Sequence, residues 1–249
     1  MRTRWLLMAS VMAIALCKGN IAYSETPDDV VEKHLAALGG RATLEKLTSR
    51  VMNGTISVST PGGELSGSIE IDNKVPNKSR TLIKIDASQF GLGQIVQDQR
   101  FNGTSGYAID TLNGSGEMSG DQLEIARINA FPSPLLKYKD AGSTLELLGR
   151  EKANDRDAYV LRLTSKTGRA ARMFIDAETF LLAKTVLTVS VPQLGGDVEQ
   201  TILVSDYRDI DGVKVPYHIQ SNNQFQSVSI AATKVEQNVA VDDEIFAKP

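Results

Sequence analysis

The 249-residue sequence has one cysteine and two histidines, and these shortages exclude several kinds of site. Cys17 has no second cysteine to pair with, so the chain forms no internal disulfide. Nucleophilic catalysis needs a base beside the nucleophile, but only His34 and His218 are present and no G-x-S-x-G elbow occurs. The H-E-x-x-H zinc motif is also absent. We therefore expect no cofactor, no metal and no catalytic residues.

Basic charge is scarce as well, with 27 Lys and Arg against 30 Asp and Glu. The chain contains no block of consecutive basic residues. A net acidic chain of this kind argues against nucleic acid or an anionic membrane as the main partner. Among so many carboxylates, the sequence indicates no acid-base pair of the glycosidase kind.

Long apolar runs are missing except at the start of the chain. Arg2 and Arg4 precede an apolar stretch from Trp5 to Cys17, and Ala22-Tyr23-Ser24 offers small residues for a signal peptidase. The stretch is shorter than the roughly 20 residues of a membrane-spanning helix. The pattern predicts a signal peptide over 1–24, with cleavage after Ser24 and export to the periplasm.

Two alternatives to this leader remain open. The segment could be a membrane anchor, or Cys17 could be an acylated lipoprotein cysteine, although Leu16 stands where such signals prefer a small residue. Removal of 1–24 takes away Cys17 and three basic residues, which leaves 24 basic and 30 acidic residues. The remaining 25–249 is expected to form a single domain, because no linker-like segment interrupts it.

Helical spacing is confined to two places. The first is the start of the expected mature chain, where "PDDVVEKHLAALGG" and then "RATLEKLTS" predict two short helices. The second is "SGDQLEIARINAFPSPLL" at 119–136, where Ser119 or Asp121 can cap a helix near 120–131 and Pro132 and Pro134 end it. This helix is either a lid over a curved sheet or an ordinary plug at one end.

Elsewhere the apolar period is two, which is typical of half-buried strands. About eleven or twelve strands joined by short turns predict an antiparallel meander. The candidate strands cover 50–59, 65–72, 80–85, 94–101, 106–110, 144–149, 158–164, 170–175, 181–191, 198–207, 213–220 and 226–235. Several are apolar on both faces, which suggests that both faces of the sheet are covered.

The stretch "SDYRDIDGVKVPYHIQ" at 205–220 permits two interpretations. A calcium loop of the EF-hand kind would place Tyr207 and His218 at ligand positions, where hard oxygen atoms are needed. A hairpin needs only Asp211-Gly212 at a two-residue turn, because both residues tolerate positive φ. We favour the hairpin. Pro216 cannot donate to a sheet ladder, so its strand is expected to lie at an edge or to carry a bulge.

Five stretches in order along the chain resemble the outer-membrane lipoprotein-sorting family, the superfamily of the periplasmic carrier LolA and its receptor LolB. They are "VVEKHLAALGG", "FNGTSGYAID", "MSGDQLEIARINAFPSPLL", "SDYRDIDGVKVPYHI" and "NVAVDDEIFAKP". The resemblance implies a mainly β fold, in which a strongly curved antiparallel sheet forms an unclosed barrel with helices over its concave side. Tyr107 and Phe180 depart from the family, standing where tryptophan and a glycine turn are common.

The resemblance also implies a function, since carriers of this family hold acyl chains in the apolar cavity. We expect a monomeric, non-catalytic periplasmic binder or carrier of a lipid, a lipoprotein acyl chain or another amphipathic ligand, with an envelope membrane receptor as a further partner. The alternatives are an envelope protein-interaction module on the same fold and a hydrolase with an unrecognised site. Alternation and helix facing predict these cavity residues: Ile83, Ile85, Phe101, Tyr107, Leu123, Phe131 and Phe174.

Overall fold

The structure is a computed structural model that describes residues 25–129, 131–191 and 196–249. The predicted signal peptide, with Cys17 and the cleavage point at Ser24, lies outside the described residues. Among those described, no helix combines the length and apolarity needed to cross a membrane.

Three α-helices are present in the described chain. The first two are α1, Pro27–Leu38, and α2, Arg41–Glu45. Thr26 caps α1 in a reciprocal capping box with Asp29, and Gly39 ends it with a φ of 128°. The third helix, α3, runs from Gly120 to Ile128, so it stops before Phe131.

All the described strands belong to one antiparallel sheet, in the order β6-β5-β4-β3-β2-β1-β13-β12-β11-β10-β9-β8-β7. The two ends of this order do not pair, so the sheet is unclosed, and the predicted mainly β fold is confirmed. The sequence missed only the two-residue β6. The strands are β1 Ser49–Thr60, β2 Gly63–Lys74, β3 Lys78–Asp86, β4 Gln94–Phe101, β5 Gly106–Asp110, β6 Gly116–Glu117, β7 Thr144–Ala153, β8 Arg156–Thr164, β9 Ala170–Asp176, β10 Leu182–Val191, β11 Gly196–Ile210, β12 Val213–Asn222 and β13 Ser227–Gln237.

The sheet consists of two meanders that meet at its centre. Strands β1 to β6 form one and β7 to β13 form the other, and the pairing of β1 with β13 joins them. Residues 118–143, which include α3, connect the two outer strands β6 and β7 along the chain. The chain therefore crosses the open side of the sheet once, at α3 and the segment after it.

We call the side of the sheet against which α1 and α2 pack the inner face. Val30, Val31 and Leu35 of α1 are buried there against residues of β8, β9 and β12. A second buried cluster on the same face consists of Ile56, Ile69, Ile85, Ala87 and Ile95, and Ile71 packs against both clusters. The apolar inner face thus continues from the helices to the far ends of β1 to β4.

The outer face is polar over β1 to β6 and is crossed by the end of the chain. We call residues 239–248 the C-terminal strap. It contacts strands β1, β2, β3, β4 and β6 through polar groups: Ser49 donates to Val239, Lys74 to Val241 and Arg100 to Ala247, while Lys74 and Lys78 pair with Asp243 and Lys248 with Glu117. The two lysines hold the pKa of Asp243 at about 2.

The hairpin predicted at 205–220 is confirmed. Ile210 pairs with Val213, and the two turn residues Asp211 and Gly212 have φ values of 51° and 81°. The edge position expected for Pro216 is wrong, because β12 lies between β11 and β13. The ladder from β12 to β13 covers only 218–222, so Pro216 lies outside it, where its missing amide hydrogen costs no ladder bond.

Candidate functional site

A cavity among the described residues lies at the open side of the sheet, and we call it the gap cavity. Its volume is about 800 Å³. Elements far apart in sequence line it, namely α2, the turn between β2 and β3, α3, the segment 131–143 and the turn between β8 and β9. Its apolar lining consists mainly of Leu44, Leu47, Ile128, Phe131, Leu136 and Leu163.

Charged side chains of both signs are distributed around the gap cavity. Glu124 and Arg127 of α3 form an ion pair at 3.8 Å, and Arg127 also donates to the Thr104 carbonyl at 3.2 Å. Lys137 and Lys166 line the cavity as well and have no ion-pair partner among the described residues. The cavity therefore combines apolar walls with a mixed-charge rim, an arrangement suited to an amphipathic molecule.

Helix α3 covers this region without sealing it. Its apolar residues Leu123, Ile125 and Ile128 are only half-buried, whereas Glu124 is 9% exposed. Ile128 packs against the helix-covered core. A helix that served only to plug the core would bury its apolar stripe first, so this arrangement favours the lid over the plug.

A half-buried arginine packs against Phe131 of the gap cavity. The Arg50 guanidinium on β1 lies 5.3 Å from the ring centroid of Phe131, and its Nε has no partner among the described groups. Removal from water lowers the pKa of Arg50 to about 10. On the paired strand, the Gln237 Oε1 atom is also buried and has no partner in the described chain. Phe131, which lines the cavity, thus packs against an arginine whose Nε has no partner among the described groups.

A half-exposed apolar strip extends the inner face beyond the helices. Val58, Leu65, Ile83, Val228 and Ile230 pack against the cluster around Ile56 and retain partial exposure. They belong to neighbouring strands in the order β3-β2-β1-β13. The inner face therefore presents apolar side chains to any molecule that enters above these strands.

The structure brings some of the predicted cavity residues together and separates others. Ile83, Ile85 and Phe101 lie on the inner face, Leu123 is half-buried on α3, and Phe131 lines the gap cavity. Tyr107 lies on the outer face, where Lys248 stands 5.2 Å from its ring centroid. Phe174 also points outward, between the inward Met173 and Ile175, and packs in a separate outer cluster. A ligand-binding role for these residues stays a prediction.

Most of the apolar lining of the gap cavity was not predicted. Leu44 and Leu47 have the spacing of ordinary helix core, and Leu163 has that of an ordinary strand residue. Their common position arises from pairing of β1 with β13 and from the path of 118–143. Local periodicity predicts neither the pairing of these two strands nor the path of this segment.

Neither histidine is placed for catalysis. His34 is buried in α1, and burial lowers the pKa of its imidazole. His218 lies on the outer face between the hydroxyls of Ser205, at 3.3 Å, and Ser229, at 3.1 Å. It bonds no described carboxylate and does not line the gap cavity. No group of three metal-binding side chains occurs in the described part of the chain.

The comparisons with known proteins give a fold. No protein-family model matches the sequence, and no curated protein sequence matches it significantly. A LolA superfamily protein from Nitrosomonas europaea matches with a TM-score of 0.60 and 17% identity, over 90% of this chain and 99% of the other. A DUF1329 family protein from Desulfovibrio piger gives 0.59 and 13%, over 90% and 98%.

A third solved structure, described as an outer membrane lipoprotein-sorting protein domain from Vibrio parahaemolyticus, has a TM-score of 0.56 and 10% identity. The match covers 88% of this chain and 94% of the Vibrio parahaemolyticus chain. The chain therefore has the LolA-like fold, and the fold implied by the sequence resemblance is confirmed. All three likenesses extend over nearly the whole described chain.

Proposed function

We propose that the protein is a non-catalytic periplasmic binder or carrier that holds the apolar chain of a lipid, a lipoprotein or another amphipathic molecule on its inner face. The observation that supports this most is the gap cavity. Its volume of about 800 Å³ falls in the ordinary range for small-molecule sites, and leucine, isoleucine and phenylalanine side chains form much of the apolar part of its walls.

The physical driving force for such binding is already present. An acyl chain that covers the half-exposed strip around Val58 and Ile230 removes apolar surface from water at about 25 cal/mol per Å². A lipid tail offers no hydrogen bonds, so no directional polar group is required. The lid-like position of α3 supplies a place where the inner face can be reached.

The LolA-like fold supports the same proposal in general terms, without identifying a ligand. Two of the solved neighbours are described as a LolA superfamily protein and an outer membrane lipoprotein-sorting domain. The expected leader at 1–24 fits an envelope location. The positions of His34 and His218 offer no support for the hydrolase alternative.

Native mass spectrometry tests the proposal directly. The full chain is expressed, and the protein is purified from the periplasm without detergent and then incubated with envelope lipids. We expect a stoichiometric lipid or acyl species, identified by organic extraction. The Ile128→Trp variant places a bulky ring in the gap cavity and should reduce the amount of this species, whereas Leu112→Trp, on a loop position that is 51% exposed, should retain it.

A clean unliganded mass for a cooperatively folded protein contradicts the proposal. It would favour the alternative, an interaction module for another envelope protein. One observation suits that alternative: the exposed side chains Phe90 and Leu92 lie together on the turn between β3 and β4. The version that used an edge strand at Pro216 loses support, because β12 lies between β11 and β13 in the sheet order.

A further inference from the structure

A second cavity in the described chain is lined mainly by residues with polar side chains, and we call it the amide cavity. It has a volume of about 570 Å³ and lies on the inner face at the β4–β6 end of the sheet, beside the start of α3. Its main side chains come from β4, β5, the turn after β5 and α3, and are Gln97, Gln99, Asp110, Asn113 and Gln122. Glu117 of β6 also borders it, with its side chain on the outer face beside Tyr107. No lysine, arginine or histidine is among the described residues that line it.

Strand register places this cavity directly beside the apolar strip. Ile83 of β3 pairs with Gln97 of β4, and Gln97 pairs with Asp110 of β5. Directly paired residues share a face, and neighbouring strands lie about 4.8 Å apart. The inner face therefore changes from apolar to polar within one strand spacing. A chain lying on Ile83 and Ile85 would bring its head group to Gln97 and Gln99.

The carboxylates of the amide cavity are already occupied. Asp110 accepts hydrogen bonds from the amides of Leu112 and Asn113, from the Asn113 side chain at 2.9 Å and from Gln97 at 3.1 Å. Glu117 pairs with Lys248 at 3.1 Å. A cationic head group would have to compete with the neutral donors that already occupy Asp110 and with Lys248 at Glu117, and an anionic one would find no cation among these described residues.

Two of the four amide side chains, in contrast, have no hydrogen-bond partner among the described residues. Gln99 and Gln122 are exposed to the cavity, and neither side chain bonds another described residue. Each primary amide offers two N–H donors and a carbonyl acceptor. Hydroxyl groups both donate and accept, so a polyhydroxylated head group can satisfy them.

We propose that the amide cavity binds the uncharged, hydroxyl-rich head group of the amphipathic ligand, such as a glycosyl or glycerol group, while its chain lies on the strip at Ile83 and Ile85. This inference rests on the proposed function, since it names the ligand class of the same inner face. It assigns Gln99 and Gln122 to head-group selection rather than to chain burial.

Three probes with the same dodecyl tail separate the head group from the chain. Dodecyl maltoside, laurate and dodecyltrimethylammonium are titrated below their micelle concentrations into the periplasmic protein, and binding is followed by calorimetry. We expect the maltoside to bind at least 10-fold more tightly than either charged probe. Gln99→Leu and Gln122→Leu should each weaken maltoside binding about 5- to 10-fold, because each removes a hydrogen-bonding group.

Matched controls make the outcomes distinct. Gln226→Leu alters an exposed glutamine on the turn between β12 and β13, and it should bind the maltoside as the native protein does. Equal binding of all three probes, tighter binding of a charged one, or a maltoside preference that survives both cavity variants would overturn the head-group inference and leave the proposed function intact. Failure of every dodecyl probe to bind would instead contradict the proposed function.

Discussion

The Nδ1 atom of His34 lies 2.8 Å from the carbonyl oxygen of Phe180, which ties α1 to the turn between β9 and β10. The neutral imidazole donates its Nδ1 hydrogen in this bond. Burial lowers the pKa of His34 below its ordinary value of 6.5. In the unfolded chain His34 therefore binds a proton near pH 6.5, whereas in the folded chain it binds one only at lower pH. The free energy of unfolding consequently falls as the pH drops below 6.5.

We expect this linkage to lower the free energy of unfolding progressively as the pH falls below 6.5. Urea unfolding at a series of pH values measures it. A His34→Gln variant should be less stable at pH 8, yet it should lose less on acidification over this range. An unchanged slope in the variant would assign the pH dependence to other groups.

Phe180 adopts a left-handed backbone with a φ of 56°, at the position where the family resemblance implies a glycine turn. Its ring stacks on Tyr159 with centroids 5.9 Å apart. Both Phe180→Ala and Phe180→Gly lose this contact, but only glycine adopts the backbone freely. We expect Phe180→Gly to be more stable than Phe180→Ala by about 1 kcal/mol in thermal or urea unfolding. The reverse order would show that the turn changes conformation in the variants.

Asp72 of β2 is 3% exposed on the outer face, with its Oδ2 3.6 Å from the Arg80 guanidinium. Burial, followed by the nearby charge of Glu70, raises the pKa of Asp72 to about 6. The folded chain binds this proton near pH 6 and the unfolded chain near its ordinary 3.8, so this group adds stability as the pH falls from 7 toward 4.

The Asp72→Asn variant removes the buried charge while keeping the shape of the side chain. We expect it to be more stable than the native protein at pH 7.5, by about 2 kcal/mol, and to lose the stabilising effect of acidification. Denaturant unfolding at pH 7.5 and pH 5 checks both parts. Lower stability at pH 7.5 would show that the charged form of Asp72 is needed by Arg80.

Phe246 anchors the C-terminal strap, since its side chain is 1% exposed. It ends a short 3-10 helix, Asp243–Phe246, which packs over β3 and β4. Phe246→Ala should destabilise the protein by about 3–5 kcal/mol, the usual effect of deleting a buried aromatic ring. Phe90 is 47% exposed and serves as the control, because Phe90→Ala removes a ring with little burial to lose. Similar losses for both variants in urea unfolding would contradict an anchoring role.

Elements with strong local signals were predictable from the sequence. Period-two alternation located twelve of the thirteen described strands, and Asp211-Gly212 located its hairpin turn. The capping signals around Pro27 and Gly39 located α1. In each case the signal lies within the element itself.

The site was less predictable, because its geometry depends on pairings between distant segments. Alternation shows that Phe174 and Met173 face opposite ways, but it does not show which face the helices cover. Arg50 has the sequence pattern of an ordinary strand arginine, and only the packing of Phe131 across its guanidinium connects it to the gap cavity. The polar amide cavity likewise arises from the side-by-side register of β3, β4 and β5.

The meeting of β1 with β13 has a consequence for how the chain can be divided. Strands β1 and β13 are far apart in sequence but are held together at the centre of the sheet by backbone hydrogen bonds. Strands β6 and β7, in contrast, do not pair and are joined through the chain at 118–143. A cut within that path leaves two complete meanders, each with its own turns. Two fragments covering 25–117 and 118–249 would carry β1 and β13, respectively. We therefore expect the fragments to reassociate through the pairing of these two strands.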